Sequence, residues 1–249
     1  MSKKLIYSDY DIFASIYNKH WGHFAEHSYL AFEKLVLQYA QPHSHILDLC
    51  CGTGHLTRKL LDNNFVVTGI DGSTQMIEYA RENAPDATFF VNDARYFNIN
   101  EQFHYVISAG DSLNHIMNLD ELKSVFHNVY SVLHNEGIFA FDMNMEKGFL
   151  ENWIASFHIS EKEYVCTIDS TFDNKNKKAE MNFILFTRDT NDIWKRSDFS
   201  FKETCYTKDE ITHALQSVGF KNIQSYGTNR AFFTSLKIKK LNLNDSVFS

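Results

Sequence analysis

The stretch His45-Ile-Leu-Asp-Leu-Cys-Cys-Gly-Thr-Gly-His-Leu-Thr57 decides the fold, because it predicts a buried strand that runs through a glycine turn into a helix. Ile46, Leu47 and Leu49 with the two following cysteines form the nearly continuous apolar run expected of a central parallel strand covered on both faces. Gly52 and Gly54 then allow the backbone to turn sharply and to approach a ligand closely. The stretch therefore predicts a binding site at the end of this strand.

A carboxylate stands at the matching position of the next predicted strand, Phe65-Val-Val-Thr-Gly-Ile-Asp71. Acidic residues at this place in open α/β sheets bind ribose hydroxyls. A dinucleotide fingerprint also requires a glycine or alanine where this chain has Thr57, which counts against NAD. The two strands together predict a slot for an adenosine ligand that is not a dinucleotide.

Composition limits the class of protein. A chain of 249 residues with 44% hydrophobic residues can bury one sizeable core. The net charge of −7 gives no basic surface, which argues against nucleic acid or an anionic membrane as the main partner. No apolar run has the length of a membrane span or the form of a signal peptide. We therefore expect a soluble, cytoplasmic protein that acts on a small molecule and is a monomer or a homodimer.

The four cysteines show neither zinc spacing nor a disulfide framework, so reduced core thiols are expected. His20, His23 and His27 share a helical spacing, but no carboxylate or cysteine accompanies them, and packing or surface roles are favoured over a metal site. The sequence therefore predicts no metal centre.

Strand and helix patterns alternate after the glycine turn. Further strands are predicted at 88–93, 103–110 and 136–142, and helices at 55–61, 74–83 and 118–133. This alternation predicts an α/β fold with a Rossmann-like parallel sheet and right-handed crossovers. From about Trp153 the apolar residues alternate instead, with polar turns at 173–177 and 189–192, which predicts an inserted antiparallel β meander.

The two ends of the chain complete this plan. Near the amino terminus, Tyr10, Phe13, Tyr17 and Trp21 share one face of a predicted helix, which is either a plain amphipathic helix or a lid. A second helix is predicted from about residue 30 to residue 40. Thr207-Lys-Asp-Glu210 has the form of a capping box for a helix ending at Gly219. Strands near 221–226 and 232–239 would complete the sheet, and the last residues are predicted to be a frayed tail.

Several motifs now acquire a common meaning. Asp48-Leu-Cys-Cys-Gly-Thr-Gly54 resembles the Asp-x-x-x-Gly-x-Gly motif of class I S-adenosylmethionine (SAM) methyltransferases, and Ser73-Thr-Gln-Met76 and Asn92-Asp-Ala94 resemble later motifs of that family. Asp111-Ser-Leu-Asn-His115 and Phe141-Asp-Met-Asn144 resemble bacterial small-molecule methyltransferases, a subgroup that includes nucleotide-sugar N-methyltransferases. The resemblance is most specific over 44–144 and extends more loosely to the end.

The resemblance implies a seven-stranded class I sheet and four segments. These are a helical lid at 1–40, a SAM-binding α/β core at 41–150, a β insertion over the active site at 151–206, and a final helix with strands at 207–249. It also implies a set of cofactor-binding residues: Tyr10, Tyr17, Asp48, Cys50, Gly52, Thr53, Gly54, Asp71, Gly72, Met76, Asn92, Asp93, Ala94, Ala109, Gly110 and Asp111. Candidate substrate-binding residues are Trp21, Asn114, His115 and Asn144, and candidate catalytic residues are His115, Tyr17 and His20.

Methyl transfer from a sulfonium requires an in-line approach of the acceptor and the exclusion of water. His115 follows the fourth strand at the expected methyl end of the cofactor, and the pKa of an unperturbed imidazole suits proton transfer near neutrality. The family often has an aromatic residue there, so a packing or substrate-binding role for His115 stays open beside that of a base.

Other functions remain compatible with these motifs. The same fold can use SAM in a cyclisation or elimination that releases methylthioadenosine, or can bind SAM as a non-catalytic regulatory subunit. An NAD oxidoreductase is the weakest alternative. Motifs for DNA amino-group, arginine and cysteine-dependent pyrimidine methylation are absent from the sequence. The sequence decides neither the acceptor nor whether nitrogen, oxygen or carbon is methylated.

Overall fold

The computed structural model describes residues 8–238, and the predicted tail and the predicted strand end at Lys239 lie outside them. Its longer helices are α1 (Ser8–His20), α2 (Phe24–Leu35), α3 (His55–Asp62), α4 (Thr74–Asn83), α5 (Leu119–Val132) and α6 (Lys208–Val218). Its strands are β1 (His45–Leu49), β2 (Val66–Asp71), β3 (Thr88–Val91), β4 (Phe103–Ser108), β5 (Leu133–Asn144), β6 (Ser156–Ser160), β7 (Tyr164–Asp173), β8 (Lys178–Arg188), β9 (Trp194–Thr204), β10 (Lys221–Tyr226) and β11 (Arg230–Leu236). Short helical turns lie at Leu37–Tyr39, Ser112–His115, Glu146–Gly148 and Phe149–Trp153.

The main sheet has seven strands in the order β10-β11-β5-β4-β1-β2-β3. Strands β1 to β5 run parallel to one another. Leu47 of β1 pairs with Thr68 of β2 on one side and with Val106 of β4 on the other. β11 runs antiparallel to β5, and β10 runs antiparallel to β11, so the sheet is mixed. This architecture confirms the predicted Rossmann-like fold and gathers the carboxyl ends of β1, β2, β4 and β5 at one edge.

The glycine turn after β1 requires the left-handed backbone region. The φ angles of Gly52 and Gly54 are +53° and +76°, and Cys50 also has a positive φ, of 61°. A β-carbon at Gly54 would lie 2.9 Å from the Cα of Ala80, so the missing side chain also permits the close approach of α3 and α4. The turn therefore determines both the ligand edge and the packing of the two helices.

Side-chain caps mark the helix starts that the sequence predicts. The hydroxyl of Ser73 accepts a hydrogen bond from the backbone N–H of Met76, and Thr207 with Glu210 forms a complete capping box. The second helix differs from its prediction, because α2 begins at Phe24 and the chain leaves helical geometry at Val36 before one more short turn.

The predicted meander is a separate four-stranded antiparallel sheet in the order β6-β7-β8-β9. The sequence pattern identified its three long strands, whereas β6 was missed because its side chains are mostly exposed. Its apolar face packs against α1, where Phe13 contacts Phe183 and Phe201 at ring-centroid distances of 4.9 and 5.3 Å. Within residues 8–238, no helix is long and apolar enough to span a bilayer.

Candidate active site

A cavity of about 790 Å³ lies where the ligand edge of the main sheet meets α1 and the meander. This volume falls in the range of about 300–1,000 Å³ that is usual for small-molecule sites. One end is formed by the glycine turn and Asp71, and the wall continues through His115 and Glu203 to Trp153. A single cavity therefore connects the predicted cofactor slot with the inserted β sheet.

Asp71 is fixed at the end of β2 by the backbone. Its Oδ2 accepts a hydrogen bond from the N–H of Gly52 at 2.9 Å, and its Oδ1 accepts one from the N–H of Ser73 at 2.9 Å. Burial raises the pKa of Asp71 to about 6, although these backbone donors act in the opposite direction. The carboxylate is oriented toward the cavity and retains lone pairs for two hydroxyl donors.

Apolar groups flank this carboxylate. The Tyr17 ring lies 3.6 Å from the position that a β-carbon on Gly52 would occupy, so the glycine keeps the turn open beneath the ring. Met76 at the start of α4 is buried and lines the same end of the cavity. Burial raises the pKa of the Tyr17 phenol above its usual value, so that this ring remains neutral.

Asp48 lies beneath the glycine turn and does not line the cavity. Its Oδ2 accepts a hydrogen bond of 2.6 Å from the Thr57 hydroxyl. Burial raises the pKa of Asp48 to about 7, and the Thr57 hydroxyl partly offsets this effect. The geometry makes Asp48 a support of the turn, and Thr57 is the side chain that binds it.

Asp93 is engaged by a neighbouring guanidinium. Its carboxylate accepts hydrogen bonds from Arg95, at 2.7 Å for the closest pair, and Arg95 also pairs with Glu121 at 3.1 Å. Arg95, Glu121 and Ala94 line the cavity, whereas Asn92 and Asp93 do not. The adenine end of the predicted site is therefore bounded by an ion-paired arginine that the sequence analysis did not single out.

A second carboxylate cluster lies on the other side of the cavity. Asp111, whose φ is +51°, follows Gly110 in a left-handed turn after β4. Arg230 at the start of β11 donates hydrogen bonds to Asp111 at 2.8 Å and to Asp142 at 2.5 Å. Burial raises the pKa of both carboxyl groups, and the charge of Arg230 partly offsets it. One guanidinium thus bridges two buried acidic side chains.

His115 belongs to the short helical turn that follows. Its Nδ1 bonds to the carbonyl oxygen of Lys202 at 3.0 Å, and because a carbonyl only accepts, Nδ1 carries the proton. Nε2 therefore accepts a 2.8 Å hydrogen bond from the Tyr10 hydroxyl. Burial lowers the pKa of His115 to about 4, so the imidazole is neutral at pH 7.

Asn114 lies outside the cavity wall and holds the wall residue Asn144 in position. Its side chain is fully buried, donates to the carbonyls of Asn144 and Thr204, and accepts from the N–H of Asn144. These bonds occupy both ends of the amide, and Asn114 does not line the cavity. Asn144 does line it and donates to Asp111 through its side-chain nitrogen.

The predicted lid helix α1 is attached on both of its sides. Asp11 accepts hydrogen bonds from the Ser73 hydroxyl at 2.6 Å and from the N–H of Gln75 at the start of α4. His20 bonds to the Tyr164 hydroxyl at 2.6 Å, which ties α1 to the meander and leaves His20 outside the cavity wall. Trp21 lines the cavity. The aromatic face of α1 thus forms a wall of the site.

The structure brings most of the predicted residues to the cavity wall. They are Tyr10, Tyr17, Trp21, Cys50, Gly52, Asp71, Gly72, Met76, Ala94, Gly110, Asp111, His115 and Asn144. It leaves the following outside the wall: His20, Asp48, Thr53, Gly54, Asn92, Asp93, Ala109 and Asn114. Sequence reasoning missed Glu203 and Arg230. The alternation of β9 places Glu203 on the inward face with Phe199 and Phe201, and a charged residue at such a position was the signal that could have identified it.

The residues present fit SAM. The paired backbone donors orient the Asp71 carboxylate for a ribose diol, and the buried Met76 offers an apolar surface beside it. The cavity wall also carries the carboxyl groups of Asp71, Asp111 and Glu203, which suit the positive charge of the sulfonium. SAM has no phosphate, so no phosphate-binding lysine is needed. Bound SAM supplies an electrophilic methyl group, while the protein residues orient the ligands and exclude water.

Comparisons with known proteins agree with this geometry. Residues 46–137 match a family profile described as a methyltransferase domain. A putative methyltransferase of Bacillus subtilis is 26% identical over 216 residues, which cover 85% of this chain and 86% of that protein. A glycine/sarcosine N-methyltransferase of Aphanothece halophytica is 28% identical, with 73% and 68% of the two chains covered.

Solved structures show the same fold. A SAM-dependent methyltransferase from Clostridium acetobutylicum has a TM-score of 0.76 at 24% identity, over 93% of this chain and all (100%) of that one. A sugar N-methyltransferase from Streptoalloteichus has a TM-score of 0.73 at 17% identity, over 92% and 93% of the two chains. Residues 46–137 therefore form a methyltransferase domain, and the chain has the fold of SAM-dependent methyltransferases, with its cavity at the ligand edge of the sheet.

Proposed function

We propose that this enzyme transfers the methyl group of SAM to a nitrogen or oxygen atom of a small molecule and releases S-adenosylhomocysteine. The observation that carries this proposal is the single cavity that joins the Asp71 end to the His115 and Glu203 end under α1 and the meander. Small-molecule N-methylation by two relatives, on glycine or sarcosine and on a sugar, supports the same class of acceptor.

The cofactor is assigned to the glycine-turn end. Asp71 accepts hydrogen bonds from the ribose, Met76 and Ala94 contact the adenine, and Tyr17 covers the turn from α1. Asp48, Thr53 and Gly54 act by supporting the turn from outside the cavity wall. Asp93 acts indirectly by holding Arg95 in the wall, Asn92 by accepting the N–H of Asp93, and Ala109 by accepting the hydroxyl of the wall residue Ser112.

The acceptor is assigned to the other end, with Trp21, His115 and Asn144 in its wall. Neutral His115 holds Tyr10 in place through Nε2, and its ring forms part of the wall beside the acceptor. Asn114 acts through Asn144, and His20 acts by fixing α1 to the meander. Methyl transfer then depends mainly on in-line positioning in a site closed to water.

The wider organisation follows from these roles. Segment 1–40 carries the lid, 41–150 the cofactor site, 151–206 the wall over the acceptor, and 207–249 the rest of the main sheet. We assign the enzyme to the cytoplasm as a monomer or homodimer, because an acidic surface and small-molecule chemistry suit that setting.

The test is the identity of the nucleoside product after incubation with SAM and a bacterial metabolite extract. Mass spectrometry should find adenosylhomocysteine together with a metabolite heavier by one CH2. Methylthioadenosine would instead establish a cyclisation or elimination. Binding of SAM without any turnover would indicate a regulatory subunit.

A further inference from the structure

We propose that Glu203 accepts the proton of the methyl acceptor, so that the acceptor is a primary or secondary amine that arrives as an ammonium ion. This inference rests on the proposed methyl transfer and assigns the residue that selects the acceptor. It moves the proton-accepting role from His115 to a side chain of the meander.

Glu203 is a buried residue of the cavity wall with a carboxyl oxygen that is unsatisfied in the described part of the chain. It lies near the end of β9, is only 3% exposed, and lines the cavity. Its Oε1 is 3.7 Å from Nε2 of His115, and its buried Oε2 has no hydrogen-bond partner within the described residues. An unpartnered carboxyl oxygen away from water costs free energy, and a donor or cation in the cavity would remove that cost.

The groups around Glu203 leave an excess of negative charge. The groups that face it are Tyr10 from α1, His115 and Asp111 after β4, Asp142 on β5, and Arg230 on β11. The guanidinium is already bonded to Asp111 and Asp142, and both Tyr10 and His115 are neutral at pH 7. Three carboxyl groups therefore share one protein cation, and the sulfonium of SAM and an ammonium acceptor together balance the two remaining negative charges, whereas a neutral alcohol leaves one of them unbalanced.

His115 and Glu203 also differ in basicity, and the difference favours Glu203 as the proton acceptor. The His115 imidazole is a weak base in this environment, because burial lowers its pKa and its Nε2 already accepts a hydrogen bond from Tyr10. Burial raises the pKa of Glu203 well above its usual value, with Asp111 acting in the same direction, and the hydrogen bond of the Asn144 side chain and the charge of Arg230 offset only part of this rise. A carboxylate of raised pKa close to the acceptor is the group suited to take a proton from an ammonium.

The reaction balances with these groups. The ammonium gives one proton to the Glu203 carboxylate, which leaves a neutral amine beside a neutral carboxylic acid. The amine lone pair then attacks the methyl carbon of SAM, the carbon–sulfur bond breaks, and its electron pair stays on sulfur. The products are the methylated ammonium ion and neutral adenosylhomocysteine, and the proton on Glu203 passes to solvent when the products leave.

The first experiment uses the full-length enzyme, SAM and a metabolite extract, with and without prior acetylation of the amines in the extract. Adenosylhomocysteine should form with the untreated extract and fall to background after acetylation. Formation that survives acetylation would overturn the assignment of an amine while the proposed function stands. No adenosylhomocysteine in either sample would overturn the proposed function, and this inference with it.

The second experiment compares Glu203→Gln with Glu163→Gln, a matched substitution at an exposed glutamate of the same β insertion. At pH 7, Glu203→Gln should lower the turnover rate with the untreated extract at least 100-fold and leave the SAM dissociation constant within about twofold. Its rate should recover as pH rises from 7 to 9, because more of the amine is then neutral, whereas Glu163→Gln should match the wild type throughout.

Two results would overturn the role of Glu203. A rate for Glu203→Gln equal to that of the wild type at pH 7 would remove it from proton transfer. A SAM affinity that falls as much as the rate would make it a cofactor ligand. Circular dichroism of both variants checks that the inserted sheet is intact, and Glu203→Asp should restore part of the rate because it restores the carboxylate.

Discussion

The two ends of the cavity hold their carboxylates in different ways. At the cofactor end, both oxygens of Asp71 accept backbone N–H groups from the turns after β1 and β2. At the acceptor end, Glu203 and Asp142 each keep one buried oxygen without a hydrogen-bond partner among residues 8–238, and a single arginine serves two carboxyl groups. The protein therefore orients the cofactor-end carboxylate through its own backbone, whereas Glu203 in the cavity wall has a carboxyl oxygen that is left for a ligand.

This difference shows how the fold divides its tasks. The cofactor end comes from consecutive strands and turns of one sheet, so its geometry is set by local structure. The acceptor end combines α1, the main sheet and the separate meander sheet, and its electrostatic imbalance selects the second substrate. A cationic acceptor gains most from such a site, because charges interact more strongly away from water.

The largest effect is expected from Asp71→Asn, which removes the charge but keeps the volume. An amide has a single acceptor oxygen, so it cannot replace both backbone bonds and the contacts to ribose. The SAM dissociation constant should rise about 100-fold or more, since hydrogen bonds to a charged group contribute roughly 1.5–3 kcal/mol each. The rise in melting temperature on adding SAM measures this loss.

Asp86→Asn is the matched control for that substitution, because Asp86 is exposed beyond the end of α4. It should keep the full thermal shift with SAM. An Asp71→Asn variant that is stabilised by SAM as much as the wild type would refute the assignment of Asp71 to the cofactor.

His115→Ala tests the opposite end. It removes the partner of the Tyr10 hydroxyl and the ring that lines the acceptor end of the cavity. The turnover number should fall roughly 30-fold, less than the loss of about 100-fold or more expected for a proton-transfer group, because His115 supports the site without taking the proton, and SAM affinity should stay unchanged. Steady-state kinetics beside SAM titration separates the two quantities, and equal losses of both would place His115 at the cofactor instead.

Asp48→Asn should raise stability at the cofactor end. Because burial raises the pKa of Asp48 to about 7, its contribution to stability is present at low pH and is lost as pH rises through about 7. The variant should therefore exceed the wild type by about 2 kcal/mol at pH 8, with a smaller gain at pH 5. Denaturant unfolding at the two pH values measures this, and a larger gain at pH 5 would contradict the sign.

The smallest effect concerns backbone strain at Cys50, whose φ of 61° is unusual for a residue with a side chain. Cys50→Gly and Cys50→Ala both remove the thiol, but only glycine relieves the strain. The glycine variant should be more stable than the alanine variant by about 1 kcal/mol, as measured by denaturant unfolding. Equal stabilities would show that the turn carries no such strain.

The difference between the cofactor end and the acceptor end also explains how much of the site could be predicted from the sequence. The apolar run before Gly52, the position of Asp71 and the Ser73 cap are local signals, and the structure has the corresponding strands, turn and helix. The acceptor end gave only a weak local signal. Glu203 continues the inward face of Phe199 and Phe201, where an apolar residue is expected, and its carboxyl partners come from distant parts of the chain. Arg230 meets Asp111 only through the pairing of β11 with β5, 119 positions away in sequence.

Burial also changed roles that sequence position suggested. Asp93 ends a strand as the family pattern requires, but its carboxylate is bonded to Arg95, which no pattern predicts. His115 stands where a base was expected, and its buried position lowers the pKa of its imidazole. Protonation depends on neighbours brought together by the fold, so residue type alone could not assign these two roles.

The central claim is that cofactor affinity depends on Asp71 and acceptor chemistry on Glu203. Calorimetric titration of SAM into the wild type, Asp71→Asn and Glu203→Gln at pH 7 tests this division most directly. The wild type and Glu203→Gln should bind SAM with the same dissociation constant, and Asp71→Asn should bind at least 100-fold more weakly. A wild type that does not bind SAM, or a Glu203→Gln variant as weak as Asp71→Asn, would contradict it.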